Sequence, residues 1–235
     1  MNEKNWRENV FIFGMIAVIL YVILTSIAML FYAGGTHVDH DAPGYSFWAN
    51  WFSDLGRTKG FSGKDNTVSM VIFIIAMSVN GISRILFAIA FKFFFTENKV
   101  ERRLSKVGTV FLIIYGVTFI GTAFTPYDIS YTFEAMHYIF ANVIATLTAF
   151  IGYILYIVAI FHNKKYPNKY AFALIVALAV SFISSIILSL FAVPIEEVTT
   201  AEELIWHTGL QKITTYIIMS VGFYIFYGAW KQIKS

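Results

Sequence analysis

Histidine and carboxylate side chains can hold a metal or move a proton, and this chain has five His and fourteen Asp plus Glu in 235 residues. It has no cysteine, so disulfides and thiolate metal sites are excluded. Several of the polar candidates fall at the ends of apolar runs. Glu134 and His137 are three apart and share one helix face, and His207 and Gln211 are four apart on another. Asn142 follows His137 by just over one turn, Asp128 closes Thr125-Pro-Tyr-Asp128, and Ser53 and Asp54 lie in Phe52-Ser-Asp-Leu-Gly56. Polar groups at membrane depth are costly unless they face a bundle interior or water. The expectation is one pocket lined by Ser53, Asp54, Asp128, His137, Asn142, His207 and Gln211. Its carboxylates would accept hydrogen bonds from headgroup hydroxyls or amines, and its histidines would donate or respond to pH near neutrality. Separate caps and interfacial hydrogen bonds are an equal alternative. In a bolder reading His137, His207 and Asp128 (or Asp54) hold zinc with one open position that activates water. No zinc motif spacing requires this, and no cofactor is implied with certainty. His37-Val-Asp-His-Asp41 also carries ligand types, but a solvated loop explains it better.

A second kind of candidate lies inside the bilayer. Arg84 follows Asn80 by four residues on one face of an apolar run. A guanidinium at that depth needs a partner, and no Asp or Glu occupies the same depth in another run. Asn80, backbone carbonyls or a lipid phosphate would serve, with structural glue the default. Lys92, nearer the membrane surface, is an ordinary snorkelling anchor.

The elements that position these residues follow from hydropathy. Hydrophobic residues make up 58% of the chain and charged ones 13%, about half the charged share of soluble domains. A soluble protein of this size could not hide so much apolar surface. Six runs reach the roughly 20 residues that a spanning helix needs: 10–32, 68–95, 107–124, 133–161, 170–193 and 210–230. They must be helical, because backbone polar groups cannot stay bare in lipid. The first run is too long for a cleaved signal. The expected fold is all-α, a single integral membrane domain over 1–235, built as a six-span up-and-down bundle with short loops.

Basic residues set the orientation. With the N-terminus inside, twelve fall on the inner side: Lys4, Arg7, Lys92, Lys99, Arg102, Arg103, Lys106, Lys164, Lys165, Lys169, Lys231 and Lys234. Only Arg57, Lys59, Lys64 and Lys212 fall outside. This bias predicts a multi-pass cell-membrane protein with both termini cytoplasmic. The one long loop, 33–67, is then outer, and in it Phe47, Trp48, Trp51, Phe52 and Leu55 recur at helical spacing opposite Asn50, Ser53 and Asp54. A short interfacial amphipathic helix is predicted, plugging the bundle mouth. Thr199 with Glu202, and Thr200 with Glu203, fit a capping box and start the last helix near Ala201. Gly108, Gly116 and Gly121 allow close helix packing within or between chains.

Three stretches resemble the archaeal and bacterial membrane family called domain of unknown function 998: Phe52-Ser-Asp-Leu-Gly56, Gly121-Thr-Ala-Phe-Thr-Pro-Tyr-Asp128 leading to His137, and Gly209-Leu-Gln-Lys212. That family is in turn remotely similar to the Frag1/DRAM/Sfk1 group of six-span proteins, and the likeness implies a lipid-related role. A further remote likeness, to ceramidase-like membrane hydrolases, implies His137, His207, Asp128 and Ser53 as counterparts of a zinc site; the histidine pair expected in one late span is missing, as His207 stands alone. The leading expectation is lipid handling through an outward-facing polar pocket, with membrane lipids as partners. A metal-dependent lipid hydrolase, a small-solute or ion transporter, and a structural or scaffolding protein are the alternatives. A net charge of +3 gives no reason to expect nucleic acid. No phosphate loop, Ser-His-Asp signature or HExxH motif is present.

Overall fold

The structure is a computed structural model and describes residues 3–234. Among the described residues, six helices are long and apolar enough to cross a membrane: Glu3–Leu30, Thr67–Phe94, Lys99–Ala123, Tyr131–His162, Lys169–Phe191 and Ala201–Lys234. They are called here the first to sixth spans. No strand occurs among the described residues; the one β-bridge, Lys59 to Asp65, pinches a turn. Most helices outrun their apolar stretches, because polar residues satisfy the free backbone groups at their ends. The third starts at Lys99 rather than Val107, with Asn98 accepting from the Glu101 amide at 2.9 Å. The sixth starts at Ala201, where Thr200 and Glu203 reciprocate at 3.0 and 3.2 Å.

Each span packs on its neighbours in chain order, and the first also packs on the sixth, so the spans form a ring. Glycines set the closest crossings. A Cβ on Gly81 would lie 2.7 Å from the Gly116 carbonyl oxygen, and one on Gly108 would lie 3.0 Å from the Tyr156 ring. Gly116 and Gly108 therefore pack helices within this chain. At the face carrying both termini the ring is sealed by Phe91, Phe95, Tyr156, Tyr166 and Tyr170, with centroids 5.0 to 5.6 Å apart. Beside them the buried Glu101 carboxylate accepts from Asn163 Nδ2 at 3.0 Å and from the backbone amides of Glu97 and Asn98.

The opposite end, here the loop face, carries residues 33–66. The expected amphipathic helix shrinks there to a 3-10 helix, Phe52–Gly56, preceded by a turn. The cause is local: Asn50 Oδ1 accepts from the Ser46 amide and Asp54 Oδ2 from the Trp51 amide, each at 2.9 Å, in place of helical carbonyl partners. The expected facing is corrected as well. Asn50 and Asp54 are fully buried with Phe52 and Leu55, whereas Trp48 is half exposed.

The fourth span is two α-helices, Tyr131–Tyr138 and Ala145–His162, joined by a wide π-turn at Ile139–Ile144. The fifth span packs against the Ala145–His162 part but makes no comparable contact with Tyr131–Ile144. The fourth and fifth spans therefore separate toward the loop face, and Tyr138, Val143, Phe182, Ile183 and Leu190 are left exposed.

Candidate functional site

The ring of helices encloses a cavity of about 1070 Å³ at the loop face. Its walls come from five of the six spans and from the loop; none of its lining residues belongs to the fifth span. The depth is apolar and aromatic, with Tyr21, Phe52, Phe73, Met77, Tyr115, Phe119, Ile218 and Met219. The rim is polar, with His37, Ser53, Arg57, Glu134, His137 and Gln211. On the fourth span the lining positions 131, 134, 135, 138, 141, 142 and 145 recur at helical spacing, and the π-turn lies among them. Wide turns of this kind often mark functional positions.

One wall is fixed by hydrogen bonds that fasten the loop to the bundle. Gln211 Oε1 accepts from the Phe52 amide at 3.0 Å. Lys212, itself buried, donates from Nζ to the Asn50 carbonyl, and Thr208 Oγ1 donates to the Trp48 carbonyl. Rings of Tyr45, Phe47 and Phe52 surround the Lys212 ammonium at 5.4 to 5.6 Å. Asn66 Nδ2 donates to the carbonyls of Leu55 at 3.3 Å and Arg57 at 3.0 Å. From the connection between the third and fourth spans, Asp128 accepts from the Thr58 amide (3.0 Å), the Thr58 hydroxyl (2.7 Å) and the Lys59 amide (2.9 Å). Tyr127 donates its hydroxyl to Asp54, and Arg57 lies over the rings of Phe61 and Tyr127 at 4.0 and 4.8 Å.

Charge in this corner is set by burial and by those bonds. Burial raises the Asp54 carboxyl above its ordinary range, although Tyr127, Asn50 and Arg57 pull it back in part. Burial, together with the neighbouring Asp54, holds the Tyr127 hydroxyl well above its usual value. Burial works against the Asp128 carboxylate too, but the Lys59 and Thr58 donors outweigh it and leave Asp128 below the usual range. Arg57 shows the same contest: burial favours the neutral form, while Tyr127, Asp128 and Asp54 more than reverse it.

Ser53, His137, Asn142 and Gln211 line the cavity. Asp54, Asp128 and His207 do not. Asp54 lies behind the wall, and Asp128 ties down the loop. His207 directs Nε2 to the Val193 carbonyl at 2.8 Å. His137 directs Nδ1 to the Thr125 carbonyl at 2.8 Å; a carbonyl only accepts, so that nitrogen carries a proton. His137, His207 and Asp128 thus bond to three separate backbone segments. Among the described residues no group of three or more His, Cys, Asp or Glu is placed to hold a metal ion. His37 packs edge-on against Trp51 and Phe61, and His40 stacks on Phe61. Arg84 does meet Asn80, with Nε donating to Oδ1 at 2.8 Å, beneath the cavity.

Sequence reasoning passed over Arg57, Tyr127 and Lys212. Each stood in or beside a stretch singled out for other residues: Arg57 follows Gly56, Tyr127 precedes Asp128 and Lys212 follows Gln211. Thr118, Thr122 and Thr215 also line the cavity, but threonine in an apolar helix ordinarily bonds its own backbone, so nothing marked them.

Six apolar helices ringed around a cavity that faces one end define a multi-pass helical membrane protein with an interior cavity. A family model described as Protein of unknown function (DUF998) matches residues 15–210, and the chain belongs to that family. The match takes in the loop, Asp128, His137 and His207, and stops just short of Gln211 and Lys212. No curated protein and no solved structure matches the chain.

Proposed function

We propose that the protein binds a membrane lipid or a similar amphiphile, whose apolar part enters the loop-face cavity and whose polar part rests at the rim. The observation that carries this reading is the cavity's lining, apolar and aromatic in its depth and polar at its rim. Its volume of about 1070 Å³ is at the upper end of ligand sites, no fifth-span residue lines it, and the fifth span makes no contact with Tyr131–Ile144 comparable to its contact with Ala145–His162. A chain could enter sideways from lipid without crossing water. Arg57, Glu134, His137 and Gln211 offer both charges and both hydrogen-bonding senses to a headgroup. The loop face is outward in this reading, from the bias of basic residues to the other end, and the membrane is the cell membrane.

Native mass spectrometry in mild detergent tests the binding. Ala141 lines the cavity, and Ala141→Trp should occupy that volume. The unmodified protein is expected to retain lipid and Ala141→Trp to lose it while remaining folded; no retained lipid in either would defeat the proposal. Orientation is tested separately, because the chain has no cysteine and Lys64 and Lys99 are both exposed. An impermeant maleimide applied to whole cells should label Lys64→Cys and spare Lys99→Cys.

A further inference from the structure

Arg84 is 6% exposed and lies within the second span. Its recorded partners are all neutral. Nε donates to Asn80 Oδ1 at 2.8 Å, Nη1 to the Tyr153 hydroxyl at 3.4 Å and Nη2 to Met219 Sδ at 3.5 Å. The last two are long, and sulfur is a weak acceptor. The rings of Tyr115 and Phe119 lie 5.2 and 4.6 Å from the guanidinium carbon. A guanidinium has five N–H donors, so the two Nη nitrogens keep donor capacity beyond these contacts.

Among the described residues no Asp or Glu pairs with Arg84. All fourteen Asp and Glu residues lie in connections or in the first two turns of a span. Among the described residues the ion pairs are Lys165 with Glu97 and Lys234 with Glu8, both at the terminal face. A buried cation without an anion is expensive in an apolar medium, and such residues ordinarily mark ligand or ion sites. Snorkelling does not relieve Arg84, because its side chain is enclosed.

Space for an anion is present. A void of about 30 Å³ lies against Arg84, between Tyr115, Tyr153, Ile218 and Gly222. That exceeds the roughly 10–15 Å³ needed to seat one water-sized group. Tyr115 and Ile218 line both this void and the large cavity above it. Met219 lines the large cavity and also accepts from Arg84 Nη2 at 3.5 Å. Met219 thus bridges Arg84 and the cavity, and an unbranched thioether changes rotamer readily.

We infer that the void beside Arg84 is a binding site for one singly charged anion, reached through the floor of the large cavity. The ligand chemistry is a carboxylate or a halide. An amphiphile with a terminal carboxylate would sit inverted relative to a ligand whose headgroup rests at the rim, with its charge at Arg84 and its apolar chain in the cavity above, whereas a free chloride would occupy the void alone. The carboxylate source rests on the binding proposed above for the large cavity; the chloride source does not.

The test compares oleate with the neutral monoolein at about pH 8, where a fatty acid is ionised, on the full chain in mild detergent, with chloride-35 line broadening in parallel. Oleate is expected to bind about tenfold more tightly than monoolein. Arg84→Gln should abolish that preference and leave monoolein binding unchanged, and Arg84→Lys should restore part of it. Gly222→Leu is a second route, since a Cβ there meets nothing within 4 Å and the added side chain would fill the void; it decides the matter if Arg84→Gln does not fold. Chloride broadening that vanishes in both variants, with no preference for oleate, assigns the site to a free anion and upholds the inference. If neither oleate nor monoolein binds, the cavity reading has failed and chloride alone judges Arg84. Absence of both an oleate preference and an Arg84-dependent chloride signal overturns the inference.

Discussion

The two ends of this bundle are filled in opposite ways. At the terminal face, aromatic rings from the second, fourth and fifth spans and their connections interlock, and Phe91, Phe95, Tyr156 and Tyr170 are all at most 1% exposed. At the loop face the same ring of helices holds a cavity of about 1070 Å³, covered by an irregular loop that hydrogen bonds fasten to the spans, although Phe52 and Leu55 also pack into the core. A close-packed end fixes helix positions through many weak contacts that change little with conditions. A hydrogen-bonded end can hold a polar rim in place and leave volume for a ligand, but its strength depends on a few groups and their charge. Under the proposed function, stability and binding are divided between the ends, and substitutions should separate them.

The largest effect is expected at the closed end. Phe91 stacks against Phe87 at 4.6 Å and meets Tyr156 and Tyr166 edge-on or tilted at 5.0 and 5.4 Å. Phe91→Ala would remove a buried ring and leave a void, at a cost of about 3–5 kcal/mol, read as a lowered unfolding midpoint in detergent. Lipid retained per folded molecule should not change. If Phe91→Ala emptied the cavity at unchanged stability, the division between the ends would be wrong.

The next effect is at Asp128. Three donors converge on its carboxylate, and hydrogen bonds to a charged group are worth about 1.5–3 kcal/mol. Asp128→Ala should cost about that much and speed amide hydrogen exchange at Thr58 and Lys59, whose amides it holds. The loss should stay local, because the 3-10 helix keeps its bonds to Gln211 and Asn66. Exchange that rose equally at the closed end would erase the contrast.

A smaller effect depends on pH, and the two carboxylates should act with opposite signs. Asp128 titrates below its unfolded value, so its contribution is full above the ordinary carboxylate pKa, about 3.9, and is lost as pH falls through the lower folded value. Asp54 titrates above its unfolded value, so the folded state binds the extra proton. Its contribution is full below about 3.9 and is lost as pH rises through the raised value. Protection of the loop should therefore weaken on both sides of an optimum near the ordinary carboxylate pKa, about 3.9. Asp54→Asn should flatten the alkaline arm and Asp128→Asn the acidic one. A single monotonic profile that neither variant alters would contradict both assignments.

The contrast between the ends also explains what could be read from sequence. Apolar length set the six spans, because lipid forces each such run into a helix whatever its neighbours do. Helix ends were legible only where a local device marked them, as at Thr200 and Glu203. Asn80, one of the partners the sequence offered for Arg84, does meet it, because four-residue spacing on one helix places side chains together. The loop resisted this approach. Helical spacing of Trp48, Trp51 and Leu55 suggested an amphipathic helix, but Asn50 and Asp54 captured the backbone amides and turned inward, a choice that depends on distant Lys212 and Tyr127. Polar residues gathered at one end did not reveal which of them face the same volume. His137 and Gln211 do, whereas Asp128 and His207 serve backbone groups nearby. The separation of the fourth and fifth spans had no sequence signal, because both are apolar throughout and packing between apolar helices in lipid depends on fit rather than hydrophobicity.

The smallest effect is expected where the two roles of the loop face meet. Gln211 lines the cavity and accepts the Phe52 amide, so it belongs to both the rim and the clamp. Gln211→Ala would leave that amide unpaired at a cost of about 1–3 kcal/mol if water cannot reach it, and less if the cavity is wet. Gln211→Glu keeps the acceptor and adds a charge to a rim that already holds Glu134. If the clamp is its main role, Gln211→Glu should restore the unfolding midpoint lost in Gln211→Ala and leave lipid retention unchanged. If rim chemistry dominates, Gln211→Glu should shift retention toward cationic headgroups with the midpoint unaltered. The first outcome would make the loop a fixed wall, and the second would make it a surface that selects among lipids.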